Sequence, residues 1–299
     1  MALLNRKEQL SVLVTGNRGF VGTNLIKKLK NRVHIVPAEQ SNHERIDILR
    51  RNQLYGLEKT DIIIHLASKI SIANSTINPY EYYHTNILGT LNILDFARQN
   101  NVNKIVNIST YIYGKPIYFP INENHPINPH SPYTKSKVLA EKLCEFYAKD
   151  YGIDVVTLRP FYIYGPSPNE LTFIPSIIKQ IKKNRKVILS SRNTKRDFLF
   201  VDDFIDLIYK IILNFPKGYN TYNAGFGKSY TLERVVEIIR QILNIDVDIE
   251  YNSLMRPNDI VDMIADITQL EKLYGWKPQI GIEDGLRLTL NESINRIGI

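Results

Sequence analysis

Short apolar runs alternate with longer amphipathic stretches through the first half of the chain. Runs rich in β-branched residues predict buried strands at 11–14, 33–36, 62–64, 104–108 and 154–158. Helical patterns lie between them, most clearly over 82–100 and 133–151. Continuous apolar strands separated by helices are typical of a parallel sheet covered on both faces. The pattern therefore predicts a doubly wound α/β fold, in which ligands bind beyond the carboxyl ends of the strands.

The pattern changes after about residue 165. Helical stretches over 174–183, 232–243 and 282–295 then mix with short strands and proline-rich connections. We predict one domain over 1–165 and a smaller mixed α/β lobe over 166–299. Part of the segment 200–225 is expected to return to the first domain.

Composition and charge exclude several classes of protein. The formal net charge is +8, but the basic residues are spread along the chain, so no nucleic-acid surface is predicted. The single cysteine, Cys144, cannot form an intrachain disulfide. No run approaches about 18 apolar residues, and the N-terminus is charged where a signal peptide is apolar. We expect a cytoplasmic protein with no membrane span and no metal site.

Three glycines follow the first predicted strand and open the first amphipathic helix. Gly16, Gly19 and Gly22 fit the pattern Gly-x-x-Gly-x-x-Gly. The first permits a tight turn, the second lets backbone N–H groups approach a pyrophosphate, and the third allows close packing of helix on strand. The helix N-terminus adds a favourable dipole for the anion. We therefore predict that residues 1–165 form a Rossmann domain that binds NAD or NADP.

The residues expected near the adenosine ribose leave the choice of cofactor open. NAD-binding folds place a carboxylate at the end of the second strand. Here residues 36–38 carry none, and the nearest carboxylate is Glu39. Arg18, inside the glycine loop, offers a guanidinium for a 2′-phosphate, which favours NADP. In the alternative, Arg18 is solvated and Glu39 holds the ribose of NAD.

Tyr133 and Lys137 are four residues apart in a helical pattern, and hence on one face. An ammonium beside the phenol is expected to lower the pKa of Tyr133 towards working pH and to make it a proton shuttle. Ser109, directly after the fourth predicted strand, is the third candidate catalytic residue, with a hydroxyl for a substrate oxygen. Two other Tyr-x-x-x-Lys matches, at 55/59 and 111/115, each span a glycine in a short connection and are rejected.

This arrangement resembles the extended short-chain dehydrogenase/reductase family, within it the NAD-dependent epimerase/dehydratase group that includes UDP-glucose 4-epimerase. The similarity runs from Leu13 to about Leu288. Beyond the glycine loop and the relay, it rests on 61–67 (DIIIHLA), 86–90 (NILGT), 109–114 (STYIYG), 158–166 (LRPFYIYGP), 196–198 (RDF), 201–203 (VDD), 222–225 (YNAG), 256–259 (RPND) and 275–278 (GWKP). The resemblance implies a homodimer that packs through the helices predicted at 82–100 and 133–151.

The resemblance also implies contacts to the cofactor. Phe20 and Val21 would cover the pyrophosphate, and Phe161 would contact the nicotinamide end. Lys137 would orient the cofactor ribose beside Tyr133. The residues implied at the adenine and along the cofactor are Asp47, Ile48, Leu66, Ala67, Ser68 and Asn86.

For the substrate, the resemblance implies a nucleoside-diphosphate sugar bound by the C-terminal lobe. Arg196 and Arg256 would hold the diphosphate, a role that suits a bidentate guanidinium. Ser109 would bond the reacting oxygen. Family members commonly place Asn after Leu-Arg-x-Phe, whereas this chain has Tyr162, so the sugar and the base stay open.

The reaction expected is hydride removal and return at C4 of the sugar, which is 4-epimerisation. Family dehydratases place Asp-Glu after the strand-end hydroxyl, but this chain has Thr110 and Tyr111, so 4,6-dehydration is not expected. The alternative is an NADPH-dependent 4-ketosugar reductase, to which the missing ribose carboxylate points. A non-catalytic NAD(P)-binding regulator is a remoter alternative, because the three relay residues are intact.

Overall fold

The computed structural model describes residues 9–38, 46–166, 172–252 and 260–295. In chain order the elements are β1 (Ser11–Thr15), α1 (Phe20–Leu29), β2 (His34–Pro37), α2 (Arg51–Leu54), β3 (Ile62–His65), α3 (Ile72–Ile77), α4 (Pro79–Tyr83), a π-helical turn (His84–Leu88), α5 (Gly89–Gln99), β4 (Lys104–Ile108), α6 (Pro132–Tyr151), β5 (Asp154–Pro160), β6 (Tyr162–Tyr164), α7 (Phe173–Asn184), β7 (Lys186–Leu189), β8 (Lys195–Phe200), α8 (Val201–Leu213), β9 (Tyr219–Ala224), β10 (Ser229–Thr231), α9 (Leu232–Leu243), β11 (Asp248–Tyr251), α10 (Thr268–Tyr274) and α11 (Ile282–Asn295).

The described residues divide into two compact units. The first includes those of Met1–Ile112, Ile127–Arg159 and Ile205–Tyr222, and the second includes the rest. The division predicted from sequence, at residue 165, stays a prediction.

The first unit is built on a sheet with the strand order β2-β1-β3-β4-β5-β9. Parallel pairing joins β1 to β2 and to β3, and continues through β4 to β5. This sheet confirms the five strands predicted from β-branched runs and the doubly wound Rossmann class. The prediction succeeds because fully apolar strands are stable only when both faces of the sheet are covered. In the sheet, β1 lies between β2 and β3, so the connection from β1 to β2 and the later crossover to β3 lead to opposite sides of β1. This reversal of strand order places a switch point at the carboxyl end of β1.

Local signals set the ends of α6. Ser131 and Thr134 form a capping box, and Pro132 occupies the first turn, where its missing N–H is not needed. Gly152 ends the helix with φ of +68°. The helix predicted over 133–151 is therefore confirmed.

The helix predicted over 82–100 is wrong in one respect. It is not one regular helix, because α4 and α5 are joined by the π-helical turn His84–Leu88. A π turn adds a residue to the helical repeat and shifts the face that later residues present. The periodicity of apolar residues is too coarse to reveal an insertion of this kind.

The second unit contains a three-stranded sheet, ordered β10-β8-β6, and the parallel pair β11-β7. Trp276 is fully buried in this unit, and its indole N–H donates to the carbonyl of Asp203 (3.1 Å). The buried carboxylate of Asp197 accepts backbone N–H groups from Phe226, Gly227 and Ala265 at 2.6–3.0 Å. These bonds connect β8 to two loops of the unit.

Over the described part of the chain, no helix is both long enough and apolar enough to cross a membrane.

Candidate active site

The glycine loop joins the carboxyl end of β1 to α1. Gly16 has φ of +68°, and a Cβ there would lie 2.7 Å from the backbone nitrogen of Ala67. A Cβ at Gly22 would lie 2.3 Å from the carbonyl oxygen of Gly16, whereas one at Gly19 would lie 3.2 Å from the same oxygen. Since backbone atoms cannot easily move aside, positions 16 and 22 require glycine. The loop thereby folds tightly against the start of α1.

The N-terminus of α1 is open to a ligand. Gly19 is its N-cap residue, and among the described residues no side chain caps this end. The first turn also carries no acidic residue. Its first N–H groups are therefore available as donors, and the helix dipole favours negative charge there. This end of α1 suits a phosphate group.

A cavity of about 340 Å³ lies against the loop. Among the predicted cofactor residues, its walls include Gly16, Arg18, Gly19, Asp47, Ile48, Ala67 and Ser68. The same walls also contain Thr15, Asn17, Ala38, Ile46, Lys69 and Thr85. Of the other predicted residues, Phe20, Val21 and Gly22 form the first turn of α1, and Leu66 donates its backbone N–H to the Thr15 carbonyl (3.3 Å).

The wall formed by Asp47 and Ile48 is held by contacts from two sides. The Asp47 carboxylate accepts the backbone N–H of Leu49 (3.0 Å). The Ile48 carbonyl accepts the side-chain amide of Asn92 on α5 (2.8 Å). A Cβ at Gly89 would lie 2.4 Å from the Ile48 side chain, so α5 packs closely behind it. Asp47 brings a carboxylate to the wall, and Ile48 brings an apolar surface.

The cavity walls also carry a methyl group and two cationic side chains. Ala38 directly follows β2 and lines the cavity, while Glu39 lies outside the described residues. Arg18 is exposed and lines the same cavity. Lys69 lines it as well and forms an ion pair with Glu81. Positive charge on the cavity wall favours an anionic group on a molecule bound there.

The predicted relay residues all lie in the first unit. Ser109 follows β4, and its backbone N–H bonds the carbonyl of Leu158 on β5 (2.8 Å). The hydroxyl of Thr110, the next residue, lies close enough to the phenol of Tyr133, in the first turn of α6, for a hydrogen bond that acts on the pKa of the phenol. The phenol therefore lies at the carboxyl end of β4, within one residue of Ser109. Lys137 follows one turn along α6 and is buried.

The hydroxyl of Ser109 is buried, and within the described residues it has no hydrogen-bond partner. A buried polar group without a partner costs about 1–3 kcal/mol. Such groups are rare in native proteins, and a catalytic role is one of the explanations for them, beside strain and an ordered water or ion. The Ser109 Oγ is therefore ready to bond an oxygen of a bound molecule.

Burial controls the pKa values of the relay. It raises the pKa of Tyr133 to about 12, against the opposing effect of the hydrogen bond from Thr110. It lowers the pKa of Lys137 to about 8, with Cys144 and Glu141 opposing. The expectation that Lys137 brings the pKa of Tyr133 down is wrong for this structure, because the loss of hydration of the phenolate dominates.

Asn86 joins the cavity wall to the relay helix. Its side-chain oxygen accepts the backbone N–H of Lys69 (2.8 Å), and its amide donates to the Lys69 carbonyl (3.1 Å). The same amide donates to the hydroxyl of Ser136 (2.9 Å), which donates to the carbonyl of Tyr133 (2.7 Å). The predicted contact of Asn86 with a cofactor stays a prediction; the bonds present brace the segment after β3 against α6.

Of the predicted substrate residues, Tyr162 and Arg196 belong to the second unit, whereas Ser109 belongs to the first. The hydroxyl of Tyr162 accepts the N–H of Phe173 (2.8 Å), where α7 begins. Arg196 lies close enough to Tyr162 to oppose, by its charge, the rise that burial causes in the pKa of that phenol. Phe161 is buried in the same unit. Arg256 lies outside the described residues.

Several residues of the site were not predicted to act there. Thr110 was named only for what it replaces, yet it bonds the Tyr133 phenol. Ser136, between Tyr133 and Lys137 in sequence, accepts a hydrogen bond from the Asn86 amide and donates one to the Tyr133 carbonyl. Lys69 and Asn17 line the cavity. A serine or threonine is so common at strand ends and in first helical turns that only the folded arrangement distinguishes these residues.

A doubly wound sheet with a glycine loop at its switch point defines the Rossmann class of dinucleotide-binding folds. Within that class, residues 12–225 match the model of the NAD-dependent epimerase/dehydratase family. The chain belongs to this family and is an enzyme.

Known relatives agree with this assignment. A putative UDP-glucose 4-epimerase from Methanocaldococcus jannaschii is 31% identical over 301 residues, covering 94% of this chain and 97% of the relative. Among solved structures, RMD from Pseudomonas aeruginosa complexed with NADPH is 28% identical with a TM-score of 0.87, covering 96% of this chain and 99% of that one. UDP-glucose 4-epimerase from Thermotoga maritima with UDP-glucose is 25% identical with a TM-score of 0.86, covering 96% and 100%.

Proposed function

We propose that this enzyme is an NAD(P)-dependent 4-epimerase of a nucleoside-diphosphate hexose. The observation that carries the proposal is the carboxyl end of β4, where the hydroxyl of Ser109, which has no partner among the described residues, lies next to the hydrogen bond of Thr110 with Tyr133. The same unit carries the glycine loop and the cavity lined by it. A proton-transfer group and a dinucleotide cavity in one unit support oxidation and reduction of an alcohol.

The residues present fit a dinucleotide. Cβ atoms at positions 16 and 22 would collide with protein backbone, so the loop is folded tightly. A tight glycine loop at this position supports close approach of a pyrophosphate to its backbone N–H groups. Gly16, Gly19 and the first turn of α1 would hold that group, and Asp47 and Ile48 would enclose the adenine. When bound, the nicotinamide supplies the acceptor and donor of hydride. The cations Arg18 and Lys69 and the methyl of Ala38 support NADP, as does the NADPH in the RMD structure.

Tyr133 is assigned the proton transfer at the C4 oxygen, and Ser109 a hydrogen bond to the same oxygen. Lys137 orients the cofactor ribose and places positive charge near the phenol. A phenol with its pKa near 12 is protonated at neutral pH, so its unassisted role is to donate a proton to a ketone oxygen. That is the reductive half of an epimerisation, and it is the whole reaction of a 4-ketosugar reductase. The reductase is therefore our second candidate.

The substrate proposed is a UDP-sugar, since two of the relatives named above have UDP-glucose in their names. Tyr162, Arg196 and Arg256 of the C-terminal lobe are proposed to bind it, with the arginines on the diphosphate. The side chain of Tyr162 is larger than the asparagine common at this position in the family. We therefore propose that Tyr162 determines which sugar or base the enzyme accepts. We also propose a homodimer; Leu139 and Phe146 are exposed on α6 and offer an apolar surface for it.

Two measurements on purified protein separate these candidates. We expect UDP-glucose and UDP-galactose to interconvert without added cofactor, and NAD or NADP to appear in the supernatant after denaturation. A 4-ketoreductase would instead leave both sugars unchanged and oxidise added NADPH in the presence of a UDP-4-ketosugar. Failure to bind either dinucleotide would overturn both candidates.

Gly22→Ala is expected to weaken NADPH binding. The new methyl group would lie 2.3 Å from the Gly16 carbonyl oxygen and would push the loop from α1. Overpacking of this kind costs about 1–3 kcal/mol, which corresponds to roughly 5- to 150-fold in the dissociation constant. Gly19→Ala, with its nearest atom at 3.2 Å, should have a smaller effect, and Gly56→Ala, whose Cβ meets no atom of the described residues within 4 Å, should have none. Fluorescence titration of NADPH measures all three, and equal losses would contradict the steric argument.

A further inference from the structure

His65, the last residue of β3, is buried and bridges two threonines. Its Nδ1 lies 2.8 Å from the hydroxyl of Thr15, at the end of β1. Its Nε2 lies 3.1 Å from the hydroxyl of Thr90, in the first turn of α5. The ring therefore joins the carboxyl ends of two neighbouring strands to the helix that follows the π-helical turn.

The neighbouring bonds assign the proton on this ring. The hydroxyl of Thr90 donates its single proton to the Asn86 carbonyl (2.7 Å), so it can only accept from His65. The hydroxyl of Thr15 accepts the backbone N–H of Ala67 (3.2 Å), which leaves its proton for the ring. Nε2 must then carry the proton and Nδ1 must accept one. Each member of this chain of bonds has one consistent direction.

The chain of bonds continues to the relay. It reaches Asn86, whose side-chain amide bonds the hydroxyl of Ser136, which in turn bonds the carbonyl of Tyr133. One end of the network is thus the strand that enters the glycine loop, and the other end is the backbone of the proton-transfer residue. A shift in any member changes the spacing between the cavity wall and Tyr133.

Burial and the nearby charge of Lys137 both favour the neutral form of the His65 ring. Burial, with a smaller contribution from the charge of Lys137, lowers the pKa of His65 to about 3. The ring is therefore neutral at working pH, although Lys137 is close enough to act on it electrostatically. A cationic ring there would repel the ammonium and would lose the acceptor that Thr15 needs.

We propose that His65 is a positioning residue: as a neutral ring protonated on Nε2, it sets the spacing between the glycine loop, Asn86 and the relay helix. This inference rests on the proposed function for its kinetic consequence, but not for its chemical state. His65 touches neither reacting atom in this role. Its effect passes through Thr90, Asn86 and Ser136 to Tyr133.

Nuclear magnetic resonance of ¹⁵N-histidine-labelled protein tests the chemical state without any turnover. We expect two-bond correlations of His65 to show a protonated Nε2 and an unprotonated Nδ1, unchanged between pH 5 and pH 8. A proton on Nδ1, or a titration of this ring within that range, overturns the proposal. Inactivity of the wild-type protein with every sugar nucleotide would contradict the proposed function while leaving this result intact.

Threonine-to-valine variants test the kinetic consequence. Thr90 and Thr289 are both buried, and each hydroxyl donates at 2.7 Å to the carbonyl four residues earlier in its helix. Thr90→Val removes the acceptor of the His65 proton, so we expect kcat to fall roughly 10- to 100-fold with KM for the sugar nucleotide little changed. Thr289→Val, the matched control, should keep kcat within about twofold. Equal behaviour of the two variants would overturn the proposal.

Replacement of the ring itself separates positioning from bulk packing. His65→Gln places an amide N–H near the position of Nε2 and keeps the bond to Thr90, whereas His65→Leu keeps volume but no bond. We expect His65→Gln to retain a larger kcat than His65→Leu at similar KM. Equal kcat values for the two, or a loss of the same size in KM, would show that His65 only fills space.

Discussion

Tyr133→Phe is expected to lower kcat roughly 10²- to 10⁴-fold, the range that one positioned acid–base group contributes. The variant removes only the hydroxyl that Thr110 bonds at the carboxyl end of β4. The ring keeps its edge-on contact with Tyr82, whose centroid lies 6.3 Å away. We therefore expect stability and NADPH affinity to change little.

The matched control is Tyr151→Phe. It is the same chemical change at the last residue of the same helix, where the side chain is half exposed and packs on Tyr147. Turnover of a UDP-sugar, followed by chromatography, should remain within about twofold of wild type for this variant. If Tyr133→Phe retained wild-type kcat with every sugar nucleotide that the protein converts, Tyr133 would not be the proton-transfer residue.

Glu141→Ala is expected to lower the free energy of unfolding by about 3–5 kcal/mol, because removal of one partner leaves a buried charge uncompensated. Glu141, on α6, forms a bidentate pair with Arg159 near the end of β5, with the closest contact at 2.7 Å. Both side chains are at most 6% exposed. The variant also removes a negative charge that supports the ammonium of Lys137, so the pKa of Lys137 should fall below about 8.

Glu145→Ala provides the control on the same helix. Glu145 pairs with Lys142 and Lys149 at 2.8 and 2.7 Å, and both lysines are exposed. Surface pairs of this kind contribute about 0–1 kcal/mol. Urea denaturation at pH 7 measures both variants, and equal losses would contradict the argument from burial.

A double variant separates the pair from its surroundings. Glu141→Leu combined with Arg159→Leu removes both charges, and apolar replacements of buried pairs are often neutral in stability. We expect the double variant to be more stable than Glu141→Leu alone. The opposite order would show that Arg159 is stabilised mainly by other partners.

The sheet and the glycine loop could be predicted from sequence because their signals are local. Strands such as Ile62–His65 are apolar at every position, and few folds accept that without covering both faces. The loop is marked by glycine where backbone lies within 3 Å of the missing Cβ of Gly16 and Gly22. In each case the residue type itself carries the constraint.

The electrostatics of the relay could not be predicted from spacing. The separation of four positions from Tyr133 to Lys137 predicts a shared helix face, but not how much water reaches that face. In the structure both groups are desolvated, and this moves the pKa of the phenol up and that of the ammonium down. Desolvation depends on every element packed around α6, not on the two residues alone.

By itself, the sequence determined the fold class and the family, and it predicted the relay residues, because apolar runs, glycine spacing and helical periodicity are properties of neighbours along the chain. Only the tertiary structure decided which hydroxyl bonds Tyr133, why the Ser109 oxygen is available, and how His65 connects β1, β3 and α5. These depend on groups up to about fifty residues apart in the chain, such as Thr15 and His65. Their partners are set by the crossing of strands and helices, which no local pattern encodes.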